Sequence, residues 1–221
     1  MVSTTQPWAE DTPAPTAPSR RGRTARGERT RVKLLLAAED VFAELGYHEG
    51  SIVKITDAAG VAQGTFYLYF ASKLQIFEEL VDDLNQRVRH AMREGSAAGS
   101  TRIESERLGF AAFFQFTADH PALYRIIRQA EFVSPAALRR HYGRIVDGYT
   151  EGLTAAAAAG QIAPDVDPIV AAWALMGIGE LVGMRWVLWD DAPEIPPPVF
   201  DEVMRLVQRA LGARDVPGGL R

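Results

Sequence analysis

Residues 51–73, SIVKITDAAGVAQGTFYLYFASK, hold the side chains in this chain best suited to touching a nucleic acid. Tyr67 can donate a hydrogen bond to a base edge or a phosphate, and Leu68 can meet a thymine methyl. Gln63 can pair with adenine or reach a phosphate. Thr65 shares the outward side with Tyr67 and Leu68, and backbone N–H groups near Gly64, at a helix start, favour an anionic phosphate. Lys73 supplies a point charge where the next helix opens, and Ser51 and Lys54 can hold phosphates from the helix before. Tyr69 has two readings, a phosphate contact or a core residue. Phosphate contacts set register and base contacts set sequence, so these residues name a chemistry without naming an operator.

The elements that must position them are two short helices back to back. Ile52, Ile55 and Ala59 recur at helical spacing and share one face. Gly60 then enters a left-handed turn without a steric penalty, and Val61 plugs the corner. Phe66, Tyr69 and Phe70 form the inward side of the second helix. A tight glycine turn between two such helices is the helix-turn-helix arrangement, whose second helix enters a major groove.

The run Ala59-Gly60-Val61, Gly64-Thr65-Phe66-Tyr67, Tyr69-Phe70 and Lys73 resembles the DNA-reading helix and following loop of the TetR/AcrR family of bacterial transcriptional regulators. The motif covers about a tenth of the chain, and the order of elements around it fits the same family. Two residues depart from the family pattern. Thr56 stands where a small Ala is usual, and Ala62 where a Ser or Thr caps the recognition helix, a loss of about 1 kcal/mol of local stability. The resemblance implies double-stranded DNA with a palindromic operator as partner, a small-molecule effector, a homodimer, and release of DNA on effector binding. It also implies Tyr69 and Lys73 as phosphate clamps.

Composition sets the outer limits. The chain has 221 residues and no Cys, which excludes disulfides, thiolate nucleophiles and zinc–cysteine sites and agrees with a reducing cytosol. Net charge is −4, yet its distribution matters more than the sum. Seven basic residues fall between Arg20 and Lys33 against the single Glu28, while residues beyond 73 carry 15 basic and 20 acidic side chains. That asymmetry suits a DNA-facing front and an acidic body. The N-terminus lacks the apolar core of a secretory signal. Ile169 to Trp189 is apolar enough to suggest a membrane span, but Glu180 and Arg185 interrupt it, so it reads as a buried helix and a cytoplasmic chain with no membrane partner.

Residues 1–25, rich in Pro, Thr, Ala and Ser, read as a disordered basic arm. Their Arg cluster either reaches a minor groove or forms a solvated tail. Residues 26–72 form the helix-turn-helix DNA-binding domain, whose first helix runs from about Glu28 to Leu45 and stops at Gly46. Residues 73–214 form a helical effector-binding and dimerisation domain, and residues 215–221 a flexible tail. Capping signals at Ser72, Thr101, Ser134-Pro135 and Asp167-Pro168 open successive helices. With no alternating strand pattern, the fold class is all-α with about nine helices. The helix from Ser72 to about Arg93 links front to body.

Within the body, Phe110, Phe113, Phe114, Tyr124, Trp173 and Met176 either line a ligand pocket or form a packed core. Arg128, Glu131, Glu180 and Arg185 are the ionisable groups that can enter such a pocket, or they pair elsewhere. A mostly apolar pocket with few polar groups suits a lipophilic effector. Ile169–Trp189 and Val199–Leu211 form either a dimer interface, which the resemblance favours, or an intramolecular core; Gly179 and Gly183 allow close helix approach, and Val199, Val203, Leu206 and Val207 share one side of the last helix. Two recognition helices about 34–36 Å apart meet successive major grooves of a palindrome. No enzymatic constellation is visible: His48, His90, His120 and His141 are scattered, and P-loop, Gly-x-Ser-x-Gly and HExxH motifs are missing. No cofactor or metal is expected. The rival function is a constitutive DNA-binding protein, or an activator, without a small-molecule ligand.

Overall fold

A computed structural model describes residues 25–213 apart from Asp191. The proposed N-terminal arm, including Arg20, Arg21 and Arg23, and the proposed C-terminal tail lie outside the described residues. Among the described residues nine α-helices run in order: α1 (Ala25–Glu49), α2 (Ile52–Ala59), α3 (Gln63–Phe66), α4 (Lys73–Ser96), α5 (Arg102–Asp119), α6 (Ala122–Val133), α7 (Pro135–Ala158), α8 (Pro168–Gly183) and α9 (Pro197–Ala210). A π-helical turn, Met184–Leu188, extends α8. The described residues form no strand, so the all-α expectation holds.

Local chemistry explains most helix starts. The side chains of Ser51, Ser72, Thr101 and Ser134 each accept from the backbone N–H three residues on, and Asp167 accepts from Ile169 and Val170. Each satisfies a donor that the first turn would otherwise leave free. Pro135 and Pro168 follow two of these caps, where a missing N–H costs nothing. Gly60, at φ 62°, ends α2 in the left-handed conformation the turn requires. Gly46, at φ 77°, breaks α1 where a stop is expected, and a last helical turn follows it to Glu49.

Two apolar cores follow from this order. One joins Phe42, Ile55, Phe66 and Phe70 of the front to Phe77, Leu80 and Leu84 of α4 and to Ile126 and Ala130 of α6. The other packs Phe110 and Phe114 of α5 against Leu153, Leu175, Val203 and Val207. The three front helices therefore share their core with α4 and α6 of the body, and Ala137 of α7 joins it.

Most of the residues assigned to an interface face inward in the single chain. Gly179 and Gly183 face inward: a Cβ on Gly179 would lie 3.3 Å from the Phe110 ring, and one on Gly183 only 1.9 Å from the Tyr124 hydroxyl. Val203 and Val207 are buried in the body core and Val199 packs against it, so of the proposed α9 residues only Leu206 is exposed. Nor is α8 buried all round. Ile169, Val170, Trp173, Leu181 and Trp189 form an exposed apolar stripe on this segment. Pro168–Leu188 is long and apolar enough to cross a membrane by length and composition, yet its inner side packs on α5, α7 and α9. A helix apolar all round carries no local mark of which side meets its own chain. Gly183→Ala is expected to lower stability by about 1–3 kcal/mol through overpacking against Tyr124. A melt of the variant checks this; an unchanged midpoint would show that the α6–α8 approach is loose.

Candidate nucleic-acid interface and effector cavity

In the front, Phe66 and Phe70 are buried, while Tyr67 and Leu68 between them are 52% and 71% exposed. Two large side chains held outward between buried neighbours suit contact with base edges and methyl groups. Gln63 and Gly64 are exposed and Thr65 is half-buried. A side chain at Gly64 would meet nothing within 4 Å, so another backbone can approach it. The second helix is shorter than its spacing suggests, with four residues before a turn at Tyr67–Tyr69. Ala62 begins it without a side-chain cap. Thr56 is buried and turns its hydroxyl to the Val53 carbonyl at 2.9 Å.

The proposed clamps have other partners. The Lys73 ammonium donates to the carbonyls of Tyr47 and Gly50, each at 2.8 Å, and sits 4.4 Å above the Tyr47 ring. It fastens the end of α1 to the start of α4, because a compact cation satisfies several free carbonyls at once. Lys54 likewise donates to the Glu49 carbonyl at 3.0 Å, and Ser51 caps α2. Tyr69 is half-buried against the front core. These contacts hold the second helix in place, whatever further contact they make.

In the body, five of the eight pocket residues converge on one cavity of about 50 Å³: Phe110, Phe113, Tyr124, Met176 and Glu180. Three do not. Phe114 turns into the second core, with its ring 6.1 Å from that of Phe200. Arg128 is exposed on α6 and reaches the Met184 sulfur. Trp173 stands on the outer stripe of α8. Sequence reasoning missed α7, which contributes His141, Tyr142, Ile145 and Tyr149. Their i, i+1, i+4, i+8 spacing is the stripe of a helix lining a space.

The cavity is apolar with anchored polar edges. Burial, with Arg144 adding to it, pushes the His141 pKa down to about 4, so the ring is neutral at pH 7. Asn85 donates to the His141 carbonyl at 2.9 Å and lies 3.2 Å from its Nδ1. Tyr142 donates to Glu180 at 2.8 Å; burial, then the carboxylate beside it, pushes the phenol pKa up.

A second cavity, of about 260 Å³, lies among α4, α5 and α7 and shares Met92, Ile145 and Tyr149 with the first. Arg89, Arg93 and Arg102 line it. Arg102 pairs with the buried Glu106, which also accepts from Tyr149 at 2.7 Å. That leaves Arg89 and Arg93, one turn apart on α4, facing the space without a carboxylate partner among the described residues. An apolar chamber beside a cationic one, with three side chains between them, suits a molecule with an apolar tail and an anionic head. The described residues contain no cluster fit for a metal ion.

Comparison with known proteins follows the same lines. Residues 34–80 match the family described as bacterial regulatory proteins, tetR family. The fatty acid metabolism regulator protein of Bacillus subtilis is 32% identical over 169 residues, 72% of this chain and 84% of that protein. The HTH-type transcriptional activator FasR of Mycolicibacterium smegmatis is 34% identical over 126 residues, 54% of this chain and 55% of FasR. The chain thus spans little more than half the length of that relative. Among solved structures, the transcriptional regulator FadR from Bacillus subtilis in complex with stearoyl-CoA superposes with a TM-score of 0.71 at 25% identity, over 83% of this chain and 99% of that one. The fatty acid degradation regulator FadR from Bacillus halodurans shares the fold, with a TM-score of 0.74 at 24% identity over 84% and 97% of the two chains.

Proposed function

Because this chain belongs to the TetR family of bacterial transcriptional regulators, we propose that it is a homodimeric, cytoplasmic repressor that holds a palindromic operator and lets go when an acyl chain with a phosphorylated head enters its body. The observation that carries this reading is a pair of neighbouring cavities with Met92, Ile145 and Tyr149 in common, one apolar and one lined by Arg89, Arg93 and Arg102. Guanidinium groups match phosphate oxygens in geometry as well as charge, and the FadR structure from Bacillus subtilis contains stearoyl-CoA, a molecule of this class.

The apolar cavity, about 50 Å³, is far below the roughly 300–1,000 Å³ of sites that enclose drug-sized ligands. A long acyl chain must therefore push its walls apart, and those walls include α4, which starts at the reading head, and α6, which packs against it. Interaction energy with the chain is spent on moving helices, which is what couples the two sites. Reading of the duplex falls to Tyr67 and Leu68 with Gln63 and Thr65 beside them. Ser51, Lys54, Gly64, Tyr69 and Lys73 support the backbone contacts, Lys73 by holding the fold of the head. The relative FasR bears the name of an activator. That favours a second reading in which the same two sites act with the opposite sign; a promoter reporter with and without stearoyl-CoA separates the two.

The test is operator binding by the purified dimer, titrated with stearoyl-CoA. Operator affinity is expected to fall as the ligand is added, and an indifferent protein would end the effector reading. Tyr67→Ala should cost about 1–3 kcal/mol at one base pair per half-site while binding to random duplex stays as it was. Equal weakening on both duplexes would reassign Tyr67 to the phosphates.

A further inference from the structure

The end of α1 is held by a side chain from the body. Gln129, on α6, accepts a hydrogen bond from the Tyr47 N–H at 2.6 Å and donates one to the Phe42 carbonyl at 3.0 Å. These two groups flank Gly46, where φ of 77° interrupts the helix and frees backbone groups that a continuous helix would pair internally. Gln129 also donates to the Arg125 carbonyl one turn back at 2.9 Å, which fixes its amide relative to α6. A side chain more than eighty residues away thus caps α1 in place of a local residue.

The placement of this cap bears on regulation. Leu123, Tyr124 and Ile127 of the same helix line the apolar cavity. Gln129 follows Tyr124 by five residues, roughly 140° around the helix, so α6 faces the cavity on one side and the α1 break on another. Lys73 grips the same break from α4 through the Tyr47 and Gly50 carbonyls. Directly beyond lies Ser51, the cap of α2, the first helix of the reading head. Resting on the effector reading above, we infer that Gln129 is the latch through which the effector cavity sets the pose of the reading head. With both hydrogen bonds made, the latch is closed. An acyl chain that displaces Leu123 and Ile127 carries α6 outward and draws Gln129 away from Tyr47 and Phe42, which loosens the entry to α2. Gln129 is a positioning residue that touches neither DNA nor effector.

Gln129→Leu keeps the bulk and removes both hydrogen bonds; Gln129→Glu keeps an acceptor for the Tyr47 N–H and loses the donor to Phe42. Each variant would be compared with the full-length protein for stearoyl-CoA affinity without DNA, and for operator affinity with and without stearoyl-CoA. Effector couplings of this kind run to about 5–150-fold in affinity. In Gln129→Leu the ratio is expected to drop below about twofold, with Gln129→Glu between, while stearoyl-CoA without DNA binds at least as tightly as it does to the unmodified protein, because no latch has to open. Amide hydrogen exchange in the unmodified protein gives a readout that needs no variant: the Tyr47 N–H should exchange slowly when free and faster with stearoyl-CoA. A full operator response retained in Gln129→Leu, or a Tyr47 amide equally protected in both states, would overturn the latch and leave the effector reading standing. An unmodified protein whose operator affinity ignores stearoyl-CoA would overturn the effector reading, and the latch with it.

Discussion

Val170→Glu combined with Leu181→Glu is expected to leave the protein monomeric and to lower its affinity for a palindromic duplex by about 10²–10⁴-fold, the scale on which linking two binding heads raises avidity. The two side chains are 66% and 64% exposed, so the single chain accommodates carboxylates there with little loss of its own stability. What suffers is the stripe they belong to, with Ile169, Trp173 and Trp189 on the same segment and Leu206 on α9. Large apolar side chains gathered on one face mark a surface that another molecule covers. A second copy is the occupant proposed, because two identical α8–α9 faces close on each other through a two-fold axis. Four charges brought into that interface would lack partners and water. Sedimentation reports the association state and a titration reports the duplex affinity. A double variant that still sediments as a dimer would move the interface elsewhere on the chain.

Arg89→Ser with Arg93→Ser should weaken stearoyl-CoA by about ten- to a hundredfold, or about 1.4–2.8 kcal/mol, while methyl stearate binds as before. Hydrogen bonds to charged groups contribute about 1.5–3 kcal/mol each, and the outer figure is reduced because Arg93 is exposed to solvent. Arg102 is left in place because it neutralises Glu106; without it a buried carboxylate would lose its ion partner. The affinity of the unmodified protein should also fall with salt more steeply than that of the variant. Calorimetry of both proteins with both ligands checks the expectation. Equal stearoyl-CoA affinity in the two would take the head group out of the arginine-lined cavity and leave the apolar one as the whole site.

Local signals made the reading head legible. Gly60 had to take the left-handed turn, Phe66 and Phe70 had to face in, and Tyr67 and Leu68 were thereby left outside. Ser72, Thr101, Ser134 and Asp167 started their helices for the same kind of reason, since a cap acts within three residues of itself. The pocket was half legible. Aromatic residues on α5 and α6 pointed to it, yet Phe114 lies about 40° round its helix from Phe110 and went to the other core. Trp173, as apolar as its neighbours, took the outer side of α8.

By itself, then, the order of residues determined the all-helical class, the helix starts and the two-sided character of the reading head. Each depends on spacing and hydrogen bonds closed within about one or two turns. Tertiary structure alone decided that Gly179 and Gly183 admit Phe110 and Tyr124 of their own chain, that α7 walls the cavity, and that Lys73 and Gln129 converge on the break in α1. Those outcomes rest on contacts between residues tens of positions apart, where several apolar sides compete for the same neighbours and only the packed whole selects among them.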